Sequence, residues 1–191
     1  MIYEANSFQH PSGYYSVAGV CLLLPAIRGI LLPPVSGHGP IEKRKLKAKY
    51  ITFEMTSHDQ GWATFGGDGT YNNSHTWFEA SILRPTLDPP NGGINWDLNE
   101  NYASPEDARD VIRNGWDFVE YNAGEEGRIQ TVWKVHNNIT AHGTDKLYQV
   151  EWVDGVETDV EDPRAMGDGR GFLASLEVGD RIVLWARAEV S

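Results

Sequence analysis

Residues 50–84 read YITFEMTSHDQGWATFGGDGTYNNSHTWFEASILR, and their pattern decides the fold class. Over 50–56, Ile51, Phe53 and Met55 alternate with Tyr50, Thr52, Glu54 and Thr56. That is the two-residue period of a half-buried strand. A loop rich in Gly and Asn follows, opening with Ser57-His58-Asp59-Gln60-Gly61-Trp62. From His75 the alternation resumes, with Thr76, Phe78, Ala80 and Ile82 on one face and His75, Trp77, Glu79 and Ser81 on the other, until Arg84-Pro85 ends it. The expected unit is a strand, a long loop and a returning strand: a hairpin with one core face and one polar, aromatic face.

Outward from this unit the β pattern continues. Two short buried strands are expected over 16–24 and 28–32, broken at Pro25. Further strands are expected over 116–121, 128–135, 146–153 and 181–188, separated by turn residues such as Asn122-Ala123-Gly124 and Gly143-Thr144-Asp145. One helix is expected over 104–114, where Ser104 caps, Pro105 takes the first helical position and Glu106-Asp107 fill the first turn. The acidic, glycine-rich run 159–171 reads as a loop at the rim of a site. This spacing predicts a mainly β protein, an antiparallel β-sandwich of jelly-roll or galactose-binding-like type with one peripheral helix. Residues 1–14 lack periodicity and read as an N-terminal arm; 15–191 read as one domain.

Composition narrows the function classes. With 27 acidic against 16 basic residues the net charge is −11, which opposes general binding to nucleic acid. Five basic residues crowd into Lys43, Arg44, Lys45, Lys47 and Lys49, either as a solvated strand edge or as a contact for an acidic surface. Prolines interrupt the apolar stretch 17–35, so no membrane span or signal peptide is expected. The single Cys21 has no partner in the chain, which favours a reducing, cytoplasmic setting.

At SHDQGW (57–62), Gly69-Thr70-Tyr71, TWFEA (76–80) and LEVGDRIVLWARA (176–188) the chain resembles a family of largely uncharacterised fungal β-sandwich proteins. Those proteins carry similar SHDQGW, TWFEA and GDRI-LWARA motifs, often beside ankyrin or other regulatory domains. The resemblance implies shared ancestry and no particular chemistry.

Seven tryptophans supply the candidate site. Trp133 shares a register with Ile129 and Val135 and is expected in the core. Trp77 and Trp185 lie opposite the apolar sets of their strands, beside His75, Glu79, Arg181 and Arg187. Were the two strands neighbours, one sheet face would offer flat apolar walls with a few placed polar groups, as small-ligand pockets do. The other reading of the same face is a small second core with an internal Glu79–Arg187 ion pair. Ligand contacts are therefore expected from Trp62, Trp77, Glu79, Arg181, Trp185 and Arg187, the ligand being a small molecule or glycan. An alternative is a cofactor-free isomerase, cyclase or lyase acting on an apolar metabolite, with His58, His75 and Glu79 moving protons and Arg187 stabilising negative charge. A protein-interaction scaffold is the third reading.

Neighbouring strand residues point apart, so a direct His58–Asp59 relay is awkward. The polar string is expected instead to fix its loop through backbone amides while Trp62 plugs the sheet. No cofactor is expected. His136 and His142 lack zinc-ligand spacing, and Asp68, Asn72, Asp162 and Asp168 offer oxygens suited to calcium without the spacing of an EF-hand.

Overall fold

The computed structural model describes residues 16–23, 27, 48–63, 65–86, 101–102, 107–108, 115–122 and 129–189. Their strands are β1 (Ser16–Leu23), β2 (Tyr50–Ser57), β3 (Thr76–Pro85), β4 (Asn101–Tyr102), β5 (Trp116–Phe118), β6 (Tyr121–Asn122), β7 (Ile129–Gln130), β8 (Trp133–Asn137), β9 (Lys146–Val153) and β10 (Arg181–Glu189). One short helix, α1 (Phe172–Ser175), precedes β10. The described chain is thus mainly β, with several antiparallel sheets. The strand expected over 28–32 and the arm 1–14 lie outside the described residues, as does the helix expected over 104–114 apart from Asp107 and Ala108.

The expected hairpin is not formed. β2 and β3 belong to different sheets, because each finds a distant partner with a matching apolar face. β2 pairs along its whole length with β9, from Tyr50↔Val153 to Ser57↔Lys146. That register sets Ile51 opposite Trp152, Phe53 opposite Val150 and Met55 opposite Tyr148, so both strands place their apolar rows on one side of the ribbon. The long loop between β2 and β3 has no tight-turn geometry to impose pairing on its ends.

β3 is the axis of a six-stranded sheet ordered β4-β1-β10-β3-β5. One edge of β3 takes β10, from Thr76↔Ala188 to Leu83↔Arg181. Its other edge is shared, β8 pairing near Trp77–Ala80 and β5 near Leu83–Pro85. The core joins the inner face of the β2–β9 ribbon to Phe78, Ala80 and Ile82 of β3, Ile182, Leu184 and Ala186 of β10, and Trp133 and Val135 of β8. Phe172 of α1 locks the two layers. Its ring lies edge-on 5.1 Å from Trp133, 5.0 Å from Trp152 and 6.4 Å from Phe53.

Two expected strands are each broken in two. The run 116–121 divides into β5 and β6, and 128–135 into β7 and β8. The second break explains why Trp133 and Val135 are buried while Ile129, read in the same register, is exposed. Among the described residues no helix is long and apolar enough to cross a membrane.

Candidate functional site

The β3–β10 register brings three of the expected ligand residues together on the sheet face away from the ribbon. Arg187 stands opposite Trp77, and Trp185 opposite Glu79. Glu79 Oε1 accepts from Trp77 Nε1 at 3.0 Å, and Oε2 accepts from Arg187 Nη1 at 2.9 Å. The Arg187 guanidinium lies 5.3 Å from the Trp77 ring centroid, so the three groups hold one another. Lys134 of β8 is the cross-strand neighbour of Glu79, but its Nζ donates to the Pro163 and Arg164 carbonyls, and burial lowers its pKa. Trp185 is enclosed, 0 % exposed, and donates its Nε1 to Ser81 Oγ at 2.9 Å.

The other candidates lie apart from this group. Arg181 stacks over Trp116 of β5, 5.4 Å from the ring. His75 is 7 % exposed, with both ring nitrogens buried and without a hydrogen-bond partner. His58 lies at the opposite end of β2 from Tyr50, and its Nδ1 is 2.7 Å from Asp145 Oδ1. Trp62, expected to plug the sheet, is instead 50 % exposed, because the loop that carries it is held from below by a different residue.

That residue is Asp59. It is 1 % exposed, accepting from Thr76 Oγ1 with Oδ1 and from the Ala141 amide with Oδ2, each at 2.9 Å. Its own amide donates to the His142 carbonyl. Asn138 extends the network, donating from Nδ2 to Thr76 Oγ1 and to the His58 carbonyl. Thr140 binds the same loop further on, through Asn72, Thr70 and Gly69. Gly61, at φ +83°, brings its backbone against Gly143, where a Cβ would stand 3.5 Å from the Gly143 Cα. The loop after β2 and the turn before β9 are thereby one knitted surface. It presents Trp62, Phe65 and Leu147 to solvent beside the His58–Asp145 pair.

Asp145 was no more than a turn residue in the sequence pattern, and only the β2–β9 pairing brings it to His58. Trp116 likewise carried no sign of its stack on Arg181. The oxygens considered for calcium are engaged elsewhere: Arg164 binds Asp162 Oδ1 at 2.9 Å and Asn72 Oδ1 at 2.8 Å. Arg164 also holds the Asp162 carboxyl below its ordinary pKa. Among the described residues no three His, Cys, Asp or Glu side chains group as metal ligands. A groove of about 360 Å³ lies between the end of β9 and α1, lined by Val156, Glu157, Arg170 and Leu173. None of the expected ligand residues borders it. Compared with known protein families, with curated proteins and with solved structures, the chain matches none.

Proposed function

We propose that the protein binds a small molecule or glycan, and that the knitted loop surface carrying Trp62 is the contact. The observation that carries this reading is a solvent-facing indole on a loop anchored by the buried carboxylate of Asp59. Binding groups commonly sit on loops held by a rigid scaffold, which lowers the entropy lost when a ligand arrives. An indole stacks on the apolar face of a sugar or ring system. The face of Trp77, Glu79 and Arg187 is then scaffold, its polar atoms spent on one another. We also read the ribbon over the six-stranded sheet as a β-sandwich of jelly-roll or galactose-binding-like type. The SHDQGW and TWFEA stretches support kinship with the fungal family they resemble.

The test is a glycan array and a small-molecule screen on the intact protein, followed by Trp62→Ala and Trp77→Ala. Trp62→Ala is expected to weaken the best ligand about tenfold, the order of one lost ring contact, with the melting temperature unchanged. Weakening by Trp77→Ala and not by Trp62→Ala would move the site to the sheet face and defeat this assignment.

A second reading rests on the 2.7 Å His58–Asp145 contact. A carboxylate on Nδ1 fixes the imidazole tautomer and leaves Nε2 to take a proton from a substrate, as in acid–base catalysis. His58→Gln that abolished turnover of a bound ligand while leaving its affinity intact would establish the enzyme.

A further inference from the structure

Five arginines lie among the described residues, and four of them meet a carboxylate: Arg84 with Asp180, Arg164 with Asp162, Arg170 with Glu157 and Arg187 with Glu79. Arg181 is the exception. In a chain with 27 acidic residues, its guanidinium has the Trp116 ring and no acid beside it among the described residues. Its Nε is buried and donates to nothing. Burial alone moves its pKa, downward, and no neighbouring carboxylate raises it again. Trp116, 9 % exposed, has a buried Nε1 that also lacks an acceptor.

The two groups are brought together by β3. Leu83 pairs with Arg181 on one side and with Phe118 on the other, and Pro85 pairs with Trp116. Side chains of one parity on the three strands therefore share a face, and Arg181 reaches across Leu83 to the indole. Withdrawing a guanidinium from water is costly unless a counter-charge or hydrogen-bond acceptors replace the water, and a buried indole N–H carries the same requirement on a smaller scale. The cation–π contact offsets part of this cost but gives neither N–H an acceptor.

We propose that Arg181 and Trp116 form a binding site for a carboxylate of a small organic acid. A carboxylate has one oxygen for the guanidinium edge and one for the indole N–H, and brings the missing negative charge. Phe118 and Pro85 give the body of the acid an apolar border on the β5 side. The site lies at the far end of β3 from Thr76, which holds Asp59. Seven residues of strand, about 24 Å, separate it from the Trp62 loop, so either site can fail without the other.

The probes are benzoate, acetate, inorganic phosphate and chloride at matched ionic strength, titrated into the intact protein. The readout is the indole N–H resonance of Trp116, assigned with Trp116→Phe. Benzoate and acetate are expected to shift that resonance along a saturating curve, and Arg181→Gln to weaken the apparent affinity roughly tenfold or more. Arg181→Lys keeps the charge and loses the planar fork, and is expected to fall between the two. The other indole resonances, unmoved in both variants, report that the fold is kept. An unsaturated shift up to about 50 mM, an equal shift in Arg181→Gln, or chloride or phosphate acting as well as benzoate would each overturn the assignment.

Discussion

Asp180 illustrates how one side chain closes several elements at once. It is wholly buried, pairs with Arg84 through two bonds, Nε to Oδ1 at 2.9 Å and Nη2 to Oδ2 at 2.8 Å, and accepts the Glu177 amide at 2.7 Å. Arg84 Nη2 also donates to the Ser175 carbonyl, so the end of β3, the end of α1 and the start of β10 share one carboxylate. The pairing raises the pKa of Arg84, chiefly through the hydrogen bond itself. Asp180→Ala removes the acceptor and leaves Arg84 facing a buried gap. Truncating one partner of a buried pair costs about 3–5 kcal/mol; with Arg84 a third exposed, about 2–3 kcal/mol is expected. Urea unfolding checks this, and a loss under about 1 kcal/mol would show that water replaces the carboxylate. Asp59 is the counterpart at the other end of β3. Its role in fixing the loop was legible from its place in a polar string after a strand, whereas Asp180 looked like an ordinary turn acid before β10. The difference is physical. Asp59 works through local backbone and its neighbours, while the partner of Asp180 lies 96 residues away.

At the scale of elements, the strands with unbroken alternation were readable. β9 and β10 have the expected bounds to within a residue, as does β2, because alternate apolar side chains must all face one core. α1 was hidden for the opposite reason: four residues are too few to display a 3.6-residue period. It forms where the glycine-rich run ends. At Gly169, φ is +65° and a Cβ would lie 2.2 Å from the Trp152 ring, so the chain can pass the indole only without a side chain. That passage delivers Phe172 between the layers. Phe172→Ala is expected to cost about 3–5 kcal/mol, the usual range for a large core aromatic, as three aromatic contacts are lost at once. Guanidinium unfolding with an unchanged denaturant slope is the measurement. A loss near zero would mean that the ribbon and the sheet hold together without α1.

For the whole molecule, pairing order was the part that local pattern could not supply. Alternation says that a strand has a core face but not which distant strand shares it, and so β2 and β3 read as a hairpin although they build opposite layers. The seam between those layers near the loop surface contains a titratable group, His136 of β8. Its ring lies 4.5 Å from Tyr148 of β9 and 5.6 Å from Tyr71, with Nδ1 2.6 Å from the Asn137 carbonyl. Burial is the largest influence and lowers its pKa; Lys134 and Lys146 lower it further, and the Asn137 carbonyl opposes them. In the unfolded chain the imidazole returns to about 6.5. As pH falls through that value the unfolded state takes up a proton that the folded state resists, so the folded state loses stability on the acid side and not the alkaline side. Wild type and His136→Gln should therefore have urea midpoints whose difference is constant above about pH 7.5 and changes in favour of the variant between about pH 6.5 and 5. Parallel profiles across that range would show that the seam admits the protonated ring at no cost, with Tyr71 and Tyr148 moving aside to let water reach it.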